Sequence, residues 1–336
     1  MTGPSFAHLL RLSDDTGLYE HADGPLPRRE HGYCLDDVAR GLVVLCREPE
    51  LSAELVVLVE RYLAFTAHAQ ANNGQFHNRL GADRGWRDEP GLGDWWGRAL
   101  WGLGTAAARC PVPWIRQAAL AAFERSAHRR PSSVRSMSFA ALGAAEVLGA
   151  VPDHALAAKL LGDVAAHVGE PRAVPEWPWP EHRLYYANAV LPEALIAAGQ
   201  LLDDPQVRDD GLRLLDWLLT VESHEVHLSP TPAGGWCIGE PRPAFDQQPL
   251  EVAALADACA RAHQVTGDLR WQAGVRHAVA WFDGDNDLGM RMRDEETGGG
   301  YDGLTHDGPN RNQGAESTLA LISTLQHGRT LLGSTG

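Results

Sequence analysis

VARGLVVLC, residues 38–46, has no polar face. Small and apolar side chains point in nearly every direction around the helix it would form, and Arg40 is its lone charge. A helix of this kind must be enclosed by protein. The same texture recurs in GRALWGLGTAAA (97–108), FAALGAAEVLGA (139–150), NAVLPEALIAAG (188–199), VAALADACARA (252–262) and STLALISTL (317–325). Between these lie amphipathic stretches such as LVVLVERYLAFTAHA (55–69) and VRDDGLRLLDWLLTV (207–221), which can face water on one side. Strand signals are nearly absent. Periodicity and Pro, Gly and Asp punctuation predict helices over 4–12, 34–46, 51–69, 94–109, 113–128, 134–149, 153–168, 186–201, 205–221, 248–266, 270–283 and 312–327. Links from an enclosed helix to the next amphipathic one are short. The return links are long, except 129–133. The simplest architecture is an all-α (α/α)6 barrel, six helical hairpins in a ring, as one domain over 1–336 with a disordered tail at 329–336. The repeat is structural, with no residue-level repeat.

Composition narrows the function. The formal net charge is −15 and no run of Lys or Arg occurs, which excludes nucleic acid as a partner. Five scattered cysteines without a CxxC argue against a disulfide framework or zinc knuckle and for a reducing compartment. No apolar run approaches the length of a bilayer span, so membrane insertion is not expected and a cytoplasmic location is. No HExxH, DxDxDG, GxGxxG, P-loop or GxSxG pattern occurs; no metal or cofactor is expected. The Gly298–Gly303 run does not lead directly into a helix and reads as a turn.

In such a barrel all inner helices run the same way, so the long loops gather at one end. The polar clusters of the sequence fall there. The first inner helix is preceded by His31, Tyr33, Asp36 and Asp37, with Arg40 a turn along. The second opens with Asp94, Trp95 and Arg98, and the third with Ser133 and Arg135. The fourth follows Trp177 and Trp179 and begins with Tyr186 and Asn188. The fifth opens with Asp246, Gln247, Gln248 and Glu251, the sixth with Asn312, Gln313 and Glu316. Acids, amides, Arg, Tyr and Trp around one pocket suit a neutral, polyhydroxylated ligand, because aromatic faces take the apolar faces of sugar rings. Each cluster also has a plainer reading. Asp36, Asp37 or Asp94 would serve as an ordinary N-cap, and the Trp177/Trp179 pair would serve as loop packing. A carboxylate one turn inside an apolar helix, as at Glu316, must be paired or functional.

The chain also resembles a bacterial family of six-hairpin glycosidase-like domains that often stand beside, or are fused to, glycosyltransferases. The matching pieces are Asp15-Thr16-Gly17-Leu18-Tyr19-Glu20-His21-Ala22, His31-Gly32-Tyr33-Cys34-Leu35-Asp36-Asp37-Val38-Ala39-Arg40, Gly97-Arg98-Ala99-Leu100-Trp101, Phe245-Asp246-Gln247-Gln248-Pro249-Leu250-Glu251, Thr297-Gly298-Gly299-Gly300-Tyr301-Asp302-Gly303-Leu304 and Asn312-Gln313-Gly314-Ala315-Glu316-Ser317-Thr318-Leu319. The resemblance implies the toroid, carbohydrate chemistry, a site role for Asp302 and a glycosyltransferase as a working neighbour. It supplies no reaction. The sequence departs from the family pattern at Gly93-Asp94-Trp95-Trp96 and at Val38.

Three functions compete. A glycoside hydrolase, inverting by resemblance, would use Asp36, Asp37 and Glu316 as its catalytic carboxylates. A sugar epimerase or isomerase would need His31, His182 and His306 to converge. A non-catalytic glycan-binding partner of a glycosyltransferase would use the same rim without turnover. Lyase chemistry on uronic acids would want a basic pocket, against the acid-rich rim.

Overall fold

A computed structural model describes residues 3–224 and 227–333. Twelve α-helices account for most of these residues: α1 Ala7–Arg11, α2 Leu35–Cys46, α3 Ala53–Ala69, α4 Asp94–Arg109, α5 Pro113–Ser126, α6 Val134–Ala150, α7 Ala155–Val168, α8 Val190–Leu201, α9 Pro205–Val221, α10 Pro249–Thr266, α11 Leu269–Asp283 and α12 Ala315–Leu332. The even-numbered helices pack side by side in sequence order, and α12 returns to α2, which closes an inner ring. The odd-numbered helices form the outer layer, with α1 against α12. This is the expected (α/α)6 barrel.

The wheel of residues 38–46 explains the inner layer. In α2 every residue but Asp36 is buried. In α3, by contrast, Leu55, Leu58, Val59 and Tyr62 face inward while Ala53, Glu54 and Val57 face out. Glycines let the inner helices approach closely. A Cβ on Gly143 would overlap the carbonyl of Leu100, and one on Gly104 the carbonyl of Gly143, so α4 and α6 touch backbone to backbone. The barrel axis is filled by side chains including Val43, Trp101, Phe139 and Leu319, leaving a void of only about 40 Å³.

Two cavities show that the inner helices run parallel. One is lined by the helix starts, Asp36 and Asp37 of α2, Gln248 before α10 and Glu316 of α12. The other, at the opposite mouth, is lined by the helix ends, Arg47, Arg109, Arg261 and His327. The second mouth, of about 340 Å³, is lined by ion pairs. Arg47 lies 2.6 Å from Asp257, Arg109 2.6 Å from Glu146 and Arg261 3.0 Å from Glu193.

Several boundaries differ from expectation. The fourth inner helix starts at Val190, not 186. Ala187 adopts φ 45°, and the Asn188 side chain accepts from the Tyr185 amide, which makes this stretch a turn. Residues 329–332, expected in a disordered tail, are the last turn of α12, where Arg329 pairs with Glu48 at 2.9 Å. Residues 334–336 lie outside the described residues. Four two-stranded antiparallel sheets occur in the rim loops, each strand of two or three residues: Ala22–Asp23 with Leu26–Pro27, Tyr33–Cys34 with Arg79–Leu80, Ser223–His224 with His227–Leu228, and Gly303–Thr305 with Gly308–Asn310. Strands this short leave no alternating pattern to read. The Gly298–Gly303 run, expected as a turn, instead follows the turn at 295–297, bridges Arg293 through Gly300 and leads into the strand Gly303–Thr305. Its glycines also admit α12, since a Cβ on Gly300 would overlap the carbonyl of Ser317.

Candidate active site

The rim cavity measures about 320 Å³. The first turn of α2 supplies Asp36 and Asp37, and the next turn supplies Arg40. Neither acid is an N-cap. That position is Cys34, whose side chain makes no cap bond. The acids bind guanidinium groups. Arg40 Nη2 donates to Asp37 Oδ1 at 2.7 Å, and Arg40 Nη1 donates to Glu316 Oε2 at 2.8 Å. One guanidinium thus bridges two carboxylates carried by adjacent inner helices. Asp36 takes a different partner: Arg98 Nη1 of α4 donates to its Oδ2 at 2.5 Å. Arg98 itself lies over the Phe139 ring, 4.5 Å from the centroid.

The three acids sit in different surroundings. Asp37 is 3 % exposed. Burial raises its pKa to about 7, against the pull of Arg40 and with the help of the neighbouring Glu316 and Asp36 charges. Glu316 keeps 41 % of its side-chain surface open. Loss of water would raise its pKa, but Arg40 and Arg98 outweigh that and hold it below the ordinary value. Two carboxylates on one guanidinium are therefore driven apart, one titrating near neutrality and the other held ionised. That separation is how a site assigns acid and base roles.

The remaining cavity wall includes Glu20, His21, Asn78, Arg79, Gln248, Asp302 and Ser317. Arg79 pairs with Glu20. Asp302 accepts from the Gly314 amide at 2.8 Å and the Ser317 hydroxyl at 2.7 Å, while burial raises its pKa. A second polar chain adjoins through α4. Asp94, also no cap, accepts from the Ser136 hydroxyl at 2.7 Å and from the Tyr186 hydroxyl. Arg135 binds the Tyr186 carbonyl at 2.6 Å, Glu181 at 2.8 Å and Asn188 at 3.1 Å. Glu251 accepts from the Ala187 and Asn188 amides. Burial and the Glu222 charge raise its pKa to about 8.

Of the residues nominated from sequence, Asp36, Asp37, Arg40, Gln248, Asp302 and Glu316 share the cavity, and Arg98 joins them through Asp36. Asp94, Tyr186, Asn188 and Glu251 form the adjoining chain. The others do not line this cavity. Trp177 and Trp179 are no platform: both are buried, Trp177 edge-on to Trp217 and Trp236, and Trp179 stacked on Trp217. Pro residues alternating with the tryptophans turn both rings into the loop interior. Trp95 packs over Gly91 and Gly93 with its indole N–H on the Phe76 carbonyl. Tyr33 is buried against Tyr19 and donates to Asp14. Gln247 is fully buried between Trp281 and Asp287. Gln313 is a strut to Thr297 and Asp294. The Asn312 side chain accepts from the Gly24 amide, and Asp246 and His31 face solvent. The imidazoles do not converge either. His182 binds the Tyr185 hydroxyl, and His306 stands exposed beside Asp307. His21, which no candidate list included, does line the cavity, and His31 stands edge-on to it at 4.9 Å. Glu20, His21, Asn78 and Arg79 come from loops whose path no helical period fixes. The sole sequence signal for Glu20 and His21 was the family-like stretch 15–22.

In two groups among the described residues, Glu20 with Cys34 and Asp37, and His224 with His227 and Asp287, one potential ligand atom from each residue lies within 4.8 Å of the others. In the first, Arg79 and Arg40 already supply positive charge to Glu20 and Asp37, so a cation gains little there.

No protein-family model matches the chain, and no curated protein matches it. Solved structures do. A cellobiose 2-epimerase from Spirochaeta thermophila superposes with a TM-score of 0.72 at 10 % identity, over 98 % of this chain and 94 % of that one. A sugar epimerase from a ruminal bacterium gives 0.70 at 11 %, over 98 % and 96 %. An α-mannanase from Bacteroides thetaiotaomicron gives 0.66 at 11 %, over 98 % and 94 %. The (α/α)6 barrel fold is therefore shared with these sugar epimerases and this mannanase. Among the described residues no helix is long and apolar enough to cross a membrane.

Proposed function

We propose that the protein is a carbohydrate-active enzyme that hydrolyses a glycosidic bond in the rim cavity. The observation that carries this is the Asp37–Arg40–Glu316 bridge, with one carboxyl titrating near neutrality and its partner held ionised at the open end. Glu316 activates a water for attack on the anomeric carbon. Asp37 supplies the proton that the departing oxygen needs, and Asp36, held by Arg98, orients sugar hydroxyls. The acid-rich wall, with its one Gln and one Asn side chain, suits a neutral glycan better than a uronate.

Epimerisation is the second reading, favoured by His21 on the cavity wall with His31 against it and by the fold shared with sugar epimerases. The two separate by mass. A panel of oligosaccharides is incubated with the protein and followed by mass spectrometry. Hydrolysis shortens chains, and Glu316→Gln abolishes it. An isobaric product lost in His21→Ala selects epimerisation. Binding without any product selects a glycan-binding subunit. Hydrolysis left intact in both Asp37→Asn and Glu316→Gln overturns the role assignment.

A further inference from the structure

Against Gln247 lies a cluster that the proposed reaction does not use. His224 and His227 are cross-strand partners in the hairpin Ser223–His224/His227–Leu228. Directly opposed residues of an antiparallel pair project from the same face, and the two imidazoles stand edge to face at 5.7 Å. Asp287, from the loop after α11, meets them: its Oδ1 lies 3.1 Å from His227 Nε2. One ligand atom from each of the three residues falls within 4.8 Å of the others.

The carboxylate is also held in place from behind. Gln247 Nε2 donates to Asp287 Oδ2. Gln247 is fully buried, with its Oε1 accepting from the Trp281 indole at 3.0 Å and its Nε2 also donating to the Ala244 carbonyl at 2.8 Å. A fixed outer shell of this kind orients a metal-ligating carboxylate, here with its other oxygen turned toward His227, whose hydrogen bond an ion would replace. His224 is exposed, and binding would require its ring to turn inward to bring the three donors to the spacing of a tetrahedral ion, with water in the fourth position.

We propose that His224, His227 and Asp287 bind a divalent first-row transition ion of the zinc class. Two imidazole nitrogens and one carboxylate oxygen suit such an ion, and calcium or magnesium would want more oxygen donors. The ion clips the hairpin after α9 to the loop after α11. Through Gln247 it braces the residue next to Gln248 at the cavity rim. The site is independent of the reaction proposed above.

The test uses the full chain, stripped with chelator and titrated with zinc by calorimetry. The expected result is one saturable equivalent, a melting temperature raised by zinc, and affinity at least tenfold weaker in His224→Ala and in Asp287→Asn. Circular dichroism of the exposed-site variant His224→Ala checks that it folds. Cobalt(II) gives a second readout, an absorption spectrum of tetrahedral type that His224→Ala loses. Absence of saturable binding, or equal affinity in His224→Ala, overturns the site and leaves His227–Asp287 a plain hydrogen-bonded pair.

Discussion

Replacing Arg40 by Met removes the cation that two carboxylates share. Asp37 and Arg40 are both nearly closed to solvent, 4 % and 10 % exposed at the side chain. Taking one partner from a buried ion pair costs about 3–5 kcal/mol, because the other charge is left without compensation. Glu316 adds less, being more open and still influenced by Arg98. Unfolding entropy of ~2.1 cal/mol/K per residue over 336 residues gives ~0.7 kcal/mol/K, so the melting temperature should fall by about 4–7 °C. The loss must depend on pH. Asp37 already has a folded pKa raised to about 7, well above its unfolded value, and without Arg40 burial raises it further. A raised carboxyl stabilises fully below the unfolded pKa and loses that contribution as pH rises through the folded one. The deficit of Arg40→Met is therefore largest near pH 8. Near pH 5, where Asp37 is protonated in both proteins, it shrinks to the lost hydrogen bonds of Arg40 with a neutral Asp37 and the more open Glu316, ~1–3 kcal/mol. Thermal and urea unfolding at the two pH values measure this. A variant as stable as the parent at both, or one more damaged at the lower pH, refutes the account of the bridge.

The same sign holds for three further buried carboxyls. Glu193 and Glu222 have pKa values raised by burial to about 7 and Glu251 to about 8, so with Asp37 they contribute a loss of stability as pH rises from about 4 to about 8, opposed by His8 and His327, whose pKa values burial lowers. Glu222→Gln should flatten that decline and raise the melting temperature at the upper end, which a pH series of melts will show. Gly143→Ala drives a methyl into the Leu100 carbonyl where α4 and α6 touch, and should cost about 1–3 kcal/mol in chemical denaturation. Trp179→Ala empties a fully buried position stacked on Trp217 and should cost ~3–5 kcal/mol while leaving sugar conversion by the folded fraction unchanged, as expected of packing and not of a platform.

The barrel was legible because its signal is long-range and redundant. An inner helix such as 38–46 can satisfy its apolar surface only by enclosure, and six such segments alternating with six amphipathic ones leave few other arrangements. The convergence of Asp36, Asp37, Arg40 and Glu316 followed from that ring, since each lies at the start of an inner helix. What sequence could not fix was side-chain direction within the loops. Trp177 and Trp179 have the composition of a platform, yet their rings turn inward to Trp217. Gln247 and Gln248 are adjacent and chemically identical, but one is buried behind Trp281 and the other faces the cavity. Glu20, His21 and Arg79 reach the cavity only because short strand pairings at the rim, such as Tyr33 with Leu80, fold their loops over it.

The central claim is that sugar sits in the rim cavity against the bridged carboxylates. It is tested most directly by a crystal structure of Glu316→Gln grown with an oligosaccharide that the wild type converts. The scissile linkage should lie within hydrogen-bonding reach of residue 316 and the α2 acids. A sugar bound elsewhere, with this cavity holding only solvent, would contradict the account.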